Sequence, residues 1–189
     1  MTHTATAQPD RAALARSIAD ASLLRGNFTL RSGRTSKYYL DKYLFSTRPE
    51  VLGPLARLFQ EKIAGVEKCI GAPIQRLAGA ELGGIPLVTA TSLATGLPCI
   101  FIRNKKKDYG TAKQLEGALS TGERVVLLED VATTGGQALE AVEVLRELGA
   151  SVECIIATID RLEGARENVE KAGLRFEALF TKRDLGIDE

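Results

Sequence analysis

Two adjacent carboxylates followed by a threonine- and glycine-rich turn are the groups in this chain best suited to chemistry. They are Glu129 and Asp130, then Thr133, Thr134, Gly135 and Gly136, within the run VVLLEDVATTGGQ at 125–137. A glycine-containing turn that opens a helix presents free backbone N–H groups and the positive end of the helix dipole, so it binds an anion. Two acids beside an anion site would repel a simple phosphate. They make sense if the ligand carries a phosphate at one end and a diol at the other, because carboxylates accept hydrogen bonds from two hydroxyls while the turn cradles the phosphate. A ribose 5-phosphate, with or without a metal, has that form. An ordinary strand-turn-helix with capping threonines accounts for Thr133 and the glycines but leaves the acidic pair unexplained. The run is not a Walker A loop, because no Gly-Lys-Ser or Gly-Lys-Thr follows, and there is no GxGxxG fingerprint.

A second dense stretch is RNKKKDYG at 103–110, with Arg103, Lys105, Lys106 and Lys107 crowded together. It follows a predicted strand and precedes about a dozen residues with no clear hydrophobic period. Taken alone, such a run is a solvated charged loop.

These groups need a scaffold, and the hydrophobic pattern supplies one. Residues 125–128 form a short apolar run of the kind that fills a central parallel strand, and open α/β sheets bind ligands beyond the carboxyl ends of such strands. Asp10 can cap a helix with Leu14, Ile18, Ala21 and Leu24 at helical spacing, ended by Gly26. Short strands at 28–30 and 38–40 flank the turn Arg31, Ser32, Gly33, Arg34, a hairpin apart from the main sheet. A helix starts near Pro49 with Val51, Leu52, Leu55, Leu58 and Ile63 on its apolar side. Strands at 77–80, 99–102, 125–128, 152–159 and 176–180 then alternate with helices at 85–95, 136–148 and 165–172. That alternation predicts an α/β fold, a mostly parallel sheet covered by helices on both faces.

A length of 189 residues suits one such domain, here 10–189 after a polar tail at 1–9. The formal charge of +1 suggests no broad attraction to nucleic acid or anionic membrane, so neither is expected as a partner. No apolar run reaches transmembrane length, and the tail lacks a secretory signal's apolar stretch, which points to a cytoplasmic protein. Cys69, Cys99 and Cys154 have no CxxC spacing; Cys99 and Cys154 sit in apolar strand patterns and read as buried, reduced thiols.

The run at 125–137 resembles the binding motif for phosphoribosyl diphosphate (PRPP) of type I phosphoribosyltransferases. With FTLRSGRTSKYYLD at 28–41, the basic loop, and DRLEGA at 160–165 matching a DRxEGA segment, the resemblance sharpens to orotate phosphoribosyltransferase over nearly the whole chain. It implies the type I phosphoribosyltransferase fold, with a small N-terminal hood element and a flexible basic loop. It also implies transfer of ribose 5-phosphate from PRPP to N1 of orotate, giving orotidine 5'-monophosphate and diphosphate in de novo pyrimidine (UMP) synthesis. Mg²⁺ is the implied cofactor, bound through PRPP, with Glu129 and Asp130 as the protein groups that could reach it. A homodimer is implied too, with loop 103–117 reaching the partner's site.

Carried over residue by residue, the resemblance puts Arg31, Leu82, Gly83, Arg103, Lys106, Lys107, Tyr109, Glu129, Asp130, Val131, Ala132, Thr133, Thr134, Gly135, Gly136 and Gln137 on PRPP. Tyr39, Leu40, Thr133 and Arg161 fall on orotate, while Lys107, Glu129 and Asp130 carry catalysis. Orotate bears a carboxylate, and a guanidinium offers it two parallel donors, which suits Arg161. The plainer alternative for Arg161 is a surface ion pair with Glu163 or Asp160. Three positions depart from the pattern: Gly83 stands where some relatives place a lysine, Asn104 where many have a basic residue, and Tyr109 where many have histidine. Tyr109 either keeps a hydrogen bond through its hydroxyl or packs the closed lid. The only histidine, His3, lies in the tail, so lysine or metal must handle the leaving group. Two rivals remain: a phosphoribosyltransferase for another base, which needs no carboxylate-binding Arg161, and a regulatory protein that senses PRPP or nucleotide.

Overall fold

A computed structural model describes residues 10–29, 33, 35–104 and 114–188. Helix α1 (Arg11–Ser22) is capped by Asp10, whose side chain accepts from the N–H groups of Ala12 and Ala13. The helix stops earlier than its apolar spacing suggests. Leu23 and Leu24 leave it to open β1 (Leu23–Thr29), which pairs antiparallel with β2 (Thr35–Leu40) from Leu23↔Leu40 outward. Cross-strand bonding outcompetes the helical period, and Gly26 lies in the bulge where the register shifts between Arg25 and Phe28. Asp41 then caps a one-turn helix that the sequence analysis missed, α2 (Lys42–Ser46), by accepting from Tyr43 N at 3.2 Å.

Helix α3 (Pro49–Ile70) begins with proline at its first position and ends at Gly71, whose φ of 69° lies in the left-handed region glycine tolerates best. Next come β3 (Arg76–Ala80), α4 (Gly84–Thr95), β4 (Cys99–Ile102), the two-residue β5 (Leu115–Glu116), β6 (Arg124–Ala132), α5 (Gly136–Glu147), β7 (Ser151–Asp160), α6 (Ala165–Lys171) and β8 (Arg175–Thr181). The large sheet has the order β5-β4-β3-β6-β7-β8, parallel except for β5. The fold is therefore α/β with a mostly parallel sheet flanked by helices, as the alternation predicts.

Side chains alternate across the sheet and feed two cores. Val126, Leu128 and Ile156 pack with α1, α3 and α4 on one face, while Val125, Leu127, Ile155 and Ala157 pack with α5 and α6 on the other. Cys154 is fully buried, and burial pushes its thiol up to about 12, so it behaves as a small apolar residue. Cys99 is only half-buried, at the rim of the first core, and Cys69 is exposed.

Candidate active site

The chain turns in opposite directions from two neighbouring strands. β3 leads through α4 to β4 on one side, and β6 leads through α5 to β7 on the other, so a crevice opens between the carboxyl ends of β3 and β6. The β3 pairing ends at Gly79↔Leu128, whereas β7 stays paired with β6 as far as Ala132↔Asp160. Glu129 and Asp130 thus lie inside a strand longer than its apolar run, yet past its last partner on β3. That puts both acids at the mouth of the crevice.

Beyond them the turn shapes a cavity of about 110 Å³, bounded by Glu129, residues 131–138 and Phe176. Gly135 is the N-cap of α5 with φ 79°, and no side chain caps the helix, so the N–H groups of its first turn are left for an anion. A side chain at Gly135 would be both strained in φ and tight, its Cβ standing 3.2 Å from Val169 Cγ2. Asn168 braces the turn from α6, donating from Nδ2 to the Thr134 carbonyl at 2.9 Å.

Glu129 lines this cavity, while Asp130 bonds toward the hood. Lys42 Nζ lies 2.9 Å from Asp130 Oδ2 and 3.2 Å from Oδ1, and Oδ1 also accepts from Val131 N at 2.6 Å. Burial, followed by the neighbouring Asp130, pushes the Glu129 carboxyl up to about 8, with Lys42 opposing the shift. Burial alone would lower the Lys42 ammonium's pKa; Asp130 outweighs it and the net change is upward.

The turn at 81–84 closes the other wall. A Cβ on Gly83 would stand 1.5 Å from Asp130 Oδ2, so the carboxylate occupies the space a side chain there would need. Leu82 is 61% exposed, and the peptide joining it to Glu81 is cis. Gly79 permits this wall to form, because a Cβ there would lie 2.6 Å from the Gly84 carbonyl oxygen. Glu81 Oε1 accepts from Asn104 N at 2.7 Å, tying the turn to the start of the basic loop. Arg103 and Gln114 bridge the loop's base, Arg103 N donating to the Gln114 carbonyl at 2.8 Å and Gln114 Nε2 to the Arg103 carbonyl at 2.9 Å. Arg103 shares a small groove with Gln137 and lies 3.7 Å from Glu116. Arg31, Lys105, Lys106, Lys107 and Tyr109 lie outside the described residues.

On the hood, strand alternation separates the two residues assigned to the base. Leu40 packs into the core, and Tyr39 is 44% exposed with its ring 5.7 Å from that of Phe28. It is Tyr38 that reaches Arg161, its hydroxyl accepting from Nη2 at 3.0 Å and its ring lying 5.2 Å from the guanidinium. Arg161 also pairs with Glu163 at 2.9 Å, the plainer partner the sequence raises, and its backbone N donates to the Ala132 carbonyl at 2.9 Å.

Among the described residues, the buried side-chain polar atoms with no hydrogen-bond partner include Arg103 Nε, Glu129 Oε2, Asp130 Oδ2 and Arg161 Nε. Asp130 Oδ2 touches Lys42 but outside hydrogen-bonding angles. Such atoms are costly in a folded protein, and these four belong to residues already assigned to the site on chemical grounds. Lys42 and Tyr38 are the contributors the sequence analysis missed. For Lys42 the available signal was the Asp41 cap immediately before it.

A glycine turn that opens a helix and a pair of buried acids thus lie together at the switch point of a parallel sheet. No family model matches the chain. Among curated proteins it is 44% identical over 172 residues to the orotate phosphoribosyltransferase of Natronomonas pharaonis, covering 90% of this chain and 94% of that one. It is 42% identical over 173 residues to that of Pyrococcus abyssi, covering 91% and 93%. Among solved structures it matches Mycobacterium tuberculosis orotate phosphoribosyltransferase in complex with PRPP with a TM-score of 0.79 and 33% identity, over 95% of this chain and 100% of that one. The chain belongs to the orotate phosphoribosyltransferase family, and its reaction is transfer of ribose 5-phosphate from PRPP to orotate in pyrimidine biosynthesis.

Proposed function

We propose that the two halves of the crevice divide PRPP between them. The first-turn N–H groups of α5, with Thr133 to Gln137, take the 5-phosphate, and Glu129 and Asp130 take the ribose hydroxyls. The diphosphate lies toward Leu82, Gly83, Arg103 and Arg31, where Lys106, Lys107 and Tyr109 close over it from the basic loop. Orotate sits against the hood near Tyr39 and Leu40, with Thr133 nearby and its carboxylate on Arg161. The observation that carries this reading is the run of residues from Thr133 to Gln137 lining one cavity with Glu129 at its edge.

Orotate N1 attacks the anomeric carbon and the bond to diphosphate breaks, building positive charge on the ribose ring as in other glycosyl transfers. Glu129 and Asp130 hold the ring and tolerate that charge. Lys107 meets the departing diphosphate, with Arg103 in support. Mg²⁺ fits as a ligand of PRPP rather than of a protein cage: among the described residues no three His, Cys, Asp or Glu side chains converge, while Glu129 Oε2 is buried and unpartnered beside Asp130. Bound there, it would offset negative charge on the leaving group.

The enzyme works as one domain over 10–189 and as a homodimer. Supporting a dimer, α4 carries no charged side chain and leaves Leu93 85% exposed. Loop 103–117 would reach across to the partner's site. Among the described residues no helix is long and apolar enough to cross a membrane. A reaction between two charged metabolites, one of them phosphorylated, suits the cytoplasm.

The test follows loss of orotate absorbance with purified protein, PRPP and Mg²⁺, with uracil and hypoxanthine in parallel and Arg161→Ala as the variant. Orotate-only turnover that collapses in the variant is the expected result. Undiminished turnover in the variant would remove Arg161 from the base site.

A further inference from the structure

The turn at 81–84 contributes no cationic side chain to the diphosphate, because position 83 is glycine and Asp130 Oδ2 fills the space beside it. Lys42 brings an ammonium to the same carboxylate from the hood, 2.9 Å from Oδ2 and 3.2 Å from Oδ1. Among the described residues, the other site cations are engaged elsewhere, Arg103 beside Glu116 and Arg161 with Tyr38 and Glu163. We propose that Lys42 is a PRPP-binding residue that exchanges Asp130 for the diphosphate as the ribose hydroxyls take the carboxylate. The inference rests on the PRPP reading of Glu129, Asp130 and the phosphate turn.

Geometry requires some exchange. Asp130 is 1% exposed, closed off with Lys42 on one side and Gly83 on the other, so a ribose hydroxyl reaches its lone pairs only as Lys42 yields them. A half-buried ammonium that loses its carboxylate needs another anion, since an unpaired charge is costly there. PRPP supplies one at the right place. Its diphosphate hangs from the carbon next to the one bearing the 2-hydroxyl, so a ligand held by Asp130 brings the diphosphate within a side-chain swing of Lys42. One side chain thus neutralises Asp130 in the free enzyme and the diphosphate in the complex, which joins hood and sheet through the ligand.

Calorimetric titration of wild type, Lys42→Met and Lys42→Arg with PRPP, inorganic diphosphate and ribose 5-phosphate tests this, with thermal melts confirming that each variant folds. Lys42→Met should weaken PRPP and diphosphate about thirty-fold, the scale of one charge-assisted hydrogen bond. Ribose 5-phosphate, which has no diphosphate and competes with Lys42 for Asp130, should bind Lys42→Met as well as wild type or more tightly. Lys42→Arg should recover most of the PRPP affinity. Equal loss for all three ligands would make Lys42 a structural prop, and undiminished PRPP binding would exclude the contact; either result overturns the proposal while leaving the PRPP site standing. Wild type that binds none of the three would overturn the PRPP reading itself, and this inference with it.

Discussion

The two halves of the crevice are built by different means. The half on β6 and α5 is framed by the large sheet: Val125 to Leu128 are fully buried, the turn is fixed by a left-handed Gly135, and Glu129 and Asp130 are held within the strand itself. The half on the hood is made of side chains. The β1–β2 hairpin forms a sheet of its own; Tyr38 on β2 reaches Arg161 through its hydroxyl and ring, and Lys42 at the start of α2 reaches both carboxylate oxygens of Asp130. In the proposed reading a frame fixed by strand pairing meets the ribose phosphate, whose shape never varies, and the hood's side chains meet the base, which can differ from enzyme to enzyme.

The sharpest way to break this comparison is to disturb the strand half. Asp130→Asn keeps the shape and removes the charge, and should lower kcat by about a hundred- to a thousand-fold in steady-state assays, by analogy with loss of one transition-state donor. A mild effect would mean that the acids orient the sugar without meeting its charge. Lys107→Ala should come next, at about 3 kcal/mol in transition-state stabilisation, read from kcat at saturating substrate. Removing the Arg161 guanidinium should raise KM for orotate by roughly thirty-fold with KM for PRPP unmoved, since it deletes charge-assisted bonds to the base alone. Tyr38→Phe, which takes one hydroxyl from Arg161, should cost orotate affinity only about two- to ten-fold. An effect as large as that of Arg161→Ala would show that the hood positions the arginine rather than steadying it.

The smallest effect concerns pH. The Glu129 carboxyl is raised in the folded protein, so the native state holds its proton more tightly than the unfolded chain does. Its contribution to stability is therefore complete below the ordinary carboxylate range and is lost as pH rises toward about 8. Melting of the free enzyme between pH 5 and 8.5 should show that decline, and Glu129→Gln should flatten it. An unchanged slope in the variant would assign the proton to another group.

Legibility in the sequence follows the same division. The glycine turn, the parallel strands and α3 to α6 were readable because apolar period, glycine and sequence order all describe a backbone path. Helix α1 was read two residues too long, because Leu24 keeps helical spacing while its real partner, Tyr39, lies across a hairpin. Strand β6 was read too short, because Glu129 and Asp130 ended the apolar run although β7 carries the pairing on to Ala132. Lys42 and Tyr38 were missed for a related reason: what matters about each is a contact across 88 and 123 residues, and the Asp41 cap beside Lys42 marks a helix start without naming Asp130 as its partner.

Gly79 has a consequence for how such an enzyme can change over time. Because even a methyl group there would collide with the Gly84 carbonyl, the wall bearing Leu82 and Gly83 sits at a fixed distance from the sheet. Mutational drift in this lineage therefore has little freedom along that wall. The hood, where exposed Tyr39 stands between buried Tyr38 and Leu40, is the part through which a new base preference could be acquired one substitution at a time.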